Sequence, residues 1–265
     1  MSRKAPLSTS NLCDKLLVMD ASKTTSSFPP DLQKVSDDAC DFVRANKKEI
    51  IKKFAGDSFP SVEHPISIFM AGSPGAGKTE FSKSLIQTLQ SQMKAEPIVR
   101  IDGDEIRGTL PGYTGANSYL FQRAISIGVS KLHDYVLEKR KSFILDGTFS
   151  HIDKARENIS RSLKVGRKVI VVYVYQDPLI SWKFTQKREA IEGRSIPKNI
   201  FIEQFFAAKE VTQAVKDEFG GQIEVWLIER NLEENYLKRN VNISKIDNHV
   251  TVQYSKKQLE DTLPL

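Results

Sequence analysis

Apolar residues along the chain fall into two alternating kinds of stretch, short unbroken runs and longer stripes with helical spacing. The runs lie at 66–70, 97–101, 143–145, 168–175 and 223–228. Between them, Phe81, Leu85, Ile86 and Leu89 mark a helix over 78–92. Leu120, Ala124, Ile127, Val129, Leu132 and Val136 mark a longer one over 116–139. Further helical stretches are predicted at 151–163, 178–191 and 197–219, the last ended by Gly220-Gly221. Runs that are apolar throughout belong to strands buried on both faces, so the alternation predicts an α/β fold: a mainly parallel sheet with helices on both faces. The run at 168–175 is the richest in β-branched residues and is expected to be a central strand.

Ahead of this pattern the chain reads differently. Leu12, Leu16, Leu17 and Met19 suggest a short helix, and the Ser/Thr/Pro-rich stretch 22–30 a linker. Leu32, Val35, Ala39, Phe42, Val43, Ile50, Ile51 and Phe54 predict one helix over 31–54, before Pro60 and Pro65. The expected division is a helical N-terminal segment, 1–61, and a main domain, 62–265. Residues 229–265 are polar and mixed and predict no clear element.

Between the first run and the helix after it stands Gly72-Ser73-Pro74-Gly75-Ala76-Gly77-Lys78-Thr79. This is the P-loop spelling in its strand-then-helix setting. Glycines let successive N–H groups turn inward around a phosphate, and the following helix aims its positive end at the same point. Lys78 is expected to neutralise β- and γ-phosphate oxygens, and the Thr79 hydroxyl to bind Mg²⁺. ATP or GTP with magnesium is therefore the expected ligand pair, and the fold is expected to be of P-loop kinase type.

In open α/β sheets ligands bind beyond the carboxyl ends of the strands. Asp102 and Asp104 follow the second run and Asp146 ends the third, so all three are expected to face the P-loop. Of the first two, one could stand near magnesium and the other at an acceptor hydroxyl. Asp146 could act as a metal-side carboxylate or contact the acceptor. The basic stretch from Ser181 through Arg188 and Arg194 to Lys198 has the make-up of a lid that closes arginines over a transferring phosphate. His64, His133, His151 and His249 occur singly, and surface or capping roles are expected of each. Ser150 with Asp153 reads as a helix cap.

Composition changes the picture little. With 40% hydrophobic and 27% charged residues the chain is globular in type. No apolar stretch approaches the ~18 residues of a membrane span, and a cytoplasmic location is expected. Cys13 and Cys40 lack metal-ligand spacing. The net charge of +6 suits a nucleotide or nucleotide sugar as well as nucleic acid, so charge alone does not decide the partner.

Taken in order, Gly72 to Thr79, Ile101-Asp102-Gly103-Asp104, Asp146-Gly147-Thr148, Arg188 and Arg194-Ser195-Ile196-Pro197-Lys198 resemble the motifs of the zeta toxin family of kinases. The resemblance spans roughly residues 62 to 230. It implies phosphorylation of the 3′-hydroxyl of the amino sugar of UDP-N-acetylglucosamine, by the toxin of a toxin–antitoxin system. It further implies that Asp104 is the base, that Arg188 and Arg194 stabilise phosphoryl charge, and that Thr148 contacts the acceptor. Asp102 and Asp146 stand beside them as acceptor-side residues. Family members commonly read Glu-Gly-Thr-x-Arg where this chain has Asp146-Gly147-Thr148-Phe149-Ser150. An antitoxin is the implied partner, acting in trans or, as residues 1–61, in cis. The residues alone leave open another small-molecule, nucleoside or RNA-end acceptor, or a nucleotide-binding regulator without catalysis.

Overall fold

The computed structural model describes residues 28–231, 234, 236–250 and 253–264. The short helix expected at 12–19 lies outside them. The chain begins with α1 (Pro30–Ala45) and α2 (Lys47–Ala55), then runs β1 (Ile66–Ala71), α3 (Lys78–Met93), β2 (Val99–Asp102) and α4 (Gly103–Arg107). A 3-10 turn, Ser118–Phe121, leads into α5 (Gln122–Glu138), followed by β3 (Phe143–Asp146), α6 (Ile152–Lys164), β4 (Lys168–Gln176) and α7 (Pro178–Glu192). The chain ends with α8 (Lys198–Phe219), β5 (Ile223–Asn231), β6 (Tyr236–Asn240) and α9 (Lys256–Thr262).

Among the described residues one six-stranded sheet has the order β2-β3-β1-β4-β5-β6. All neighbours are parallel except β5 and β6. β4 is interior, between β1 and β5, as its β-branched composition predicts. Alternate residues of each strand feed opposite layers. Phe69, Val169, Val171 and Tyr173 pack with α5, α6 and α8, while Ile68, Met70, Ile170, Val172 and Val174 pack with Phe81, Leu85 and Leu89 of α3. Both faces are therefore buried, the condition under which parallel strands read as continuous apolar runs.

Three details depart from the sequence pattern. The helix expected over 31–54 is two, because Asn46 ends α1: its backbone N–H and its side-chain Nδ2 both donate to Phe42 O, at 2.9 Å each. The tail after residue 229 holds, among the described residues, the end of β5, the antiparallel edge strand β6, a 3-10 turn at Ile246–Asn248 and α9. Ser255 and Gln258 start α9 with a reciprocal capping box, and Trp182 donates to Pro264 O nearby. The N-terminal helices also share the largest core. Ala39, Cys40, Val43, Ile50 and Ala55 are buried with Ile106, Leu120, Ala124 and Leu132.

His133 is neither at the surface nor a cap. It is 2% exposed on α5 and edge-on to Phe143, with ring centroids 5.0 Å apart. Arg161 faces its Nδ1 at 3.5 Å, which places the proton on Nε2, a buried atom without a partner. Burial, and then Arg161, push its pKa down to about 3. An unfolded histidine titrates near pH 6.5, so below that pH the unfolded chain takes up a proton that the folded chain refuses. Stability should be lost as pH falls from about 6.5 towards 3, by up to about 1.4 kcal/mol per pH unit. Denaturant unfolding at pH 7.5 and 5.5 should show wild type losing about 1.4 kcal/mol more than His133→Phe; equal losses would show that His133 does not govern the acid side.

Candidate active site

β1 delivers the chain into the glycine loop at the centre of the sheet, between β3 and β4. Gly75 packs so closely on α7 that a Cβ there would lie 2.1 Å from Ser181 O. Gly77, at φ +82, is the N-cap of α3, and no side chain caps its first amides. Those amides can face an anion instead. Gln176 holds the loop by donating to Gly75 O at 3.2 Å, and Arg230 donates to Gly77 O at 2.6 Å. Ser73 and Ala76 are buried and Pro74 lines the lid side of the loop.

Lys78 is folded back on its own loop, with Nζ donating to Gly72 O at 3.0 Å and Ser73 O at 2.7 Å. Burial, only partly offset by Asp146 and Asp104, pulls its pKa down to about 8. A phosphate would supply the missing negative charge. Thr79 follows it in the first turn of α3. A Mg²⁺ ion takes few protein ligands and completes its shell with phosphate oxygens and water, so one hydroxyl on a phosphate loop fits it. Among the described residues no cluster of three or more acidic, His or Cys side chains could hold a metal alone.

The three aspartates expected at the P-loop separate into two charge clusters. Asp102 and Asp146 are register partners on β2 and β3, and both turn to Arg100. Arg100 Nη2 donates to Asp102 Oδ2 at 2.6 Å and Asp146 Oδ2 at 2.5 Å, its Nη1 to Glu105 at 2.5 Å and its Nε to Ser82 at 3.0 Å. Its side chain is 8% exposed. Burial and the neighbouring Asp146 raise the Asp102 pKa against the pull of Arg100. Asp102 also caps α4, accepting from Asp104 N at 2.8 Å, which fixes where Asp104 begins.

Asp104 forms the second cluster. Arg107 donates to its Oδ1 at 2.5 Å, Arg194 to the same oxygen at 2.7 Å, and Arg188 to its Oδ2 at 2.6 Å. Burial opposes the charged form, but Arg194, Arg107 and Arg188 outweigh it and hold the carboxyl well below the ordinary range. Arg188 also donates to Glu192 at 2.8 Å. The lid residues Arg188 and Arg194 line a narrow recess with Pro74, Gly75, Thr185 and Ile196, so they front the phosphate loop directly.

The segment after β3 completes the mouth. Gly72 N donates to Thr148 O at 3.2 Å, and the Thr148 and Ser150 hydroxyls lie 2.9 Å apart. Ser150 therefore does not cap α6, whose N-cap is His151 without a side-chain bond. Phe149 sits at φ +58, unusual for a bulky residue, with its ring 6.2 Å from that of Phe69. Sequence reasoning missed Arg100, Arg107 and Arg230. Arg107 had a local signal, its place three residues after Asp104 on one helical face. The signal for Arg100 was that of a lone charge inside an apolar run, and nothing local ties Arg230 to Gly77.

A phosphate loop at the mouth of a parallel sheet, faced by a carboxylate and a cationic lid, is the layout of P-loop kinases. Within that class the chain belongs to the zeta toxin family, whose model, described as Zeta toxin, matches residues 51–242. Solved structures share the fold at low identity. One, from the PezAT chromosomal toxin–antitoxin system of the human pathogen Streptococcus pneumoniae, is 15% identical with a TM-score of 0.56, over 89% of this chain and 88% of that one. The AvrRxo1-ORF1:AvrRxo1-ORF2 complex with sulphate ions is 13% identical with a TM-score of 0.56, over 99% of this chain and 81% of that one. Its counterpart with ATP is 15% identical with a TM-score of 0.54, over 90% and 73%. Among curated proteins none matches the chain in sequence.

Arg100 is the cation that lets two carboxylates share the ends of β2 and β3. Arg100→Met should leave them facing each other and cost about 3–5 kcal/mol at pH 7. Because protonation relieves that repulsion, the deficit should shrink as pH falls. Urea unfolding at pH 7 and 4.5 measures both, and a deficit independent of pH would point to lost packing instead.

Proposed function

We propose that this protein is an ATP- and Mg²⁺-dependent phosphotransferase acting on a hydroxyl of a nucleotide sugar, UDP-N-acetylglucosamine being the first candidate. The observation that carries the reading is the meeting of Asp104, Arg188 and Arg194, distant in sequence, in one ion cluster beside Lys78. In the reaction the acceptor O–H proton passes to Asp104 while its oxygen attacks the γ-phosphorus. The bond from that phosphorus to the β–γ bridging oxygen breaks, and ADP leaves with the electron pair. Lys78, Arg188 and Arg194 take up the negative charge on the phosphoryl oxygens. Mg²⁺ held at Thr79 would neutralise phosphate charge when bound. Asp146 and Asp102 act from behind, held by Arg100, and Thr148 stands where an acceptor would meet the phosphate loop.

Incubation with ATP, Mg²⁺ and UDP-N-acetylglucosamine should give a product heavier by one phosphate in mass spectrometry. Asp104→Ala should slow it by about 10²–10⁴, and Lys78→Ala should abolish it. Unchanged sugar nucleotide with phosphate on a nucleoside or RNA end would reassign the acceptor. ATP binding without transfer to any acceptor would favour a regulatory module.

The toxin role and restraint by an antitoxin belong to the same proposal, supported by family membership and by the toxin–antitoxin system to which one structural relative belongs. The described part of the N-terminal segment packs into the core with residues of α4 and α5. Deleting 1–61 would remove core residues, so restraint in cis is tested by removing residues 1–27 alone. A chain lacking 1–27 should transfer phosphate faster than the full chain; equal rates would leave only an antitoxin in trans.

A further inference from the structure

The three arginines on Asp104 are not equivalent. Arg188 and Arg194 belong to the lid, with side chains 44% and 19% exposed, and both border the recess against the phosphate loop. Arg107 belongs to the same short helix as Asp104, and its side chain is 4% exposed. It is pinned on three sides, donating to Asp104 at 2.5 Å and to Gln122 at 3.3 Å, with its guanidinium over the Tyr113 ring at 5.8 Å. Tyr113 is itself fixed edge-on to buried Phe121. Arg107 therefore has no route to a phosphate, whereas the lid arginines have one.

The cluster is overbalanced. One carboxylate meets three guanidinium groups, with only Glu192 added on the Arg188 side. A polyphosphate entering the recess is the natural counter-charge for the two exposed arginines, since planar forks pair well with phosphate oxygens. A carboxylate deprived of every cation would be free to turn in its pocket. One deprived of two but kept by a buried third stays aimed while regaining affinity for a proton.

Resting on the reading of Asp104 as proton acceptor, we propose that Arg107 is the positioning residue of this site: it stays on Asp104 when nucleotide phosphate draws Arg188 and Arg194 away. In this division of labour the lid arginines serve phosphate and couple nucleotide arrival to readiness of the base. Arg107 never touches substrate; it acts through Asp104.

The test is carbon-13 NMR of the full chain labelled at aspartate Cγ, with the Asp104 signal assigned by its loss in Asp104→Asn. Titrations are run with and without Mg²⁺ and the non-hydrolysable analogue β,γ-imido-ATP. In wild type the Asp104 midpoint should lie below the ordinary aspartate range when free and rise when the analogue binds. Arg107→Met should raise it further in both states, by about one pH unit. Arg188→Met should raise it only in the free state. Arg107→Lys, which keeps the charge without the fork, should return the midpoint most of the way. With UDP-N-acetylglucosamine as acceptor, Arg107→Met should lower kcat about tenfold or more at an unchanged KM for ATP. If Arg107→Met loses its near-ultraviolet dichroism, Arg107→Gln, which can still bond Gln122, takes its place with the same expected midpoints. A nucleotide-bound midpoint equal to wild type in the Met or Gln variant overturns the inference, because Arg107 would then have left Asp104 too. Failure of UDP-N-acetylglucosamine as acceptor would instead strike the proposed function and leave the titration to decide this point.

Discussion

Carboxylates cannot crowd the end of a buried parallel sheet unless cations are built in among them, and this constraint organises the molecule's working edge. β2 and β3 run in register to Asp102 and Asp146, while Asp104 and Glu105 follow within one turn. Four acids in so small a space would repel by several kcal/mol in a medium of reduced dielectric. Arg100 reconciles three of them from inside the sheet, and Arg107, Arg188 and Arg194 share the fourth. The first cluster is closed, with its cation buried and its acids committed. The second is open, with surplus positive charge facing the phosphate loop. A closed ion cluster thus stands directly behind an open one, and Asp102 joins them by bonding Arg100 through one oxygen and capping Asp104 through the other.

The same charge logic applies to Lys78. Its ammonium donates to its own loop's carbonyl oxygens, and burial lowers its proton affinity. The nearest acids are already held by arginines. Lys78 on one side and the lid arginines on the other thus leave a gap that is positive from two directions, and a polyphosphate would relieve the imbalance on both sides.

The architecture was legible because the signals that built it are local. Alternating apolar runs and stripes need no long-range information, and the phosphate loop carries its own spelling between Gly72 and Thr79. The stretch that holds Arg188 and Arg194 was legible only as basic; that both reach Asp104 was not. The sequence did not reveal which cation each acid meets, because Arg100 and Asp146 are 46 residues apart and Arg230 and Gly77 are 153 apart. The break at Asn46 was hidden by an apolar stripe that continues on both sides of it; a side chain competing for Phe42 O ended the helix where periodicity did not. His133 was misjudged because a lone histidine carries no sign of its surroundings, here two phenylalanine rings. Residues 229–240 read as mixed because an edge strand such as β6, paired on one side, needs no continuous apolar run.

The segment departing from the family's usual Glu-Gly-Thr-x-Arg pattern is also the one tied to the phosphate loop. Thr148 O accepts from Gly72 N, and Phe149 takes a left-handed conformation to lay its ring against Phe69. Strain of that kind persists only where packing over-determines it, at a cost on the order of 1–3 kcal/mol. The nucleotide wall and this neighbouring wall are therefore one rigid piece, anchored to the middle strand of the sheet. The lid is different. It crosses the mouth through exposed residues, meets Asp104 by ion pairs that phosphate can replace, and touches the loop before α5 where a Cβ on Gly115 would strike Glu192 O. The lid is therefore the part of the mouth held by ion pairs, and the segment of Thr148 and Ser150 the part tied to the glycine loop. With Asp146 committed to Arg100 and the two hydroxyls bonded to each other, that wall presents neutral hydrogen-bonding groups rather than a free charge. The free charge of the site is thus concentrated on the side of the glycine loop and the lid arginines.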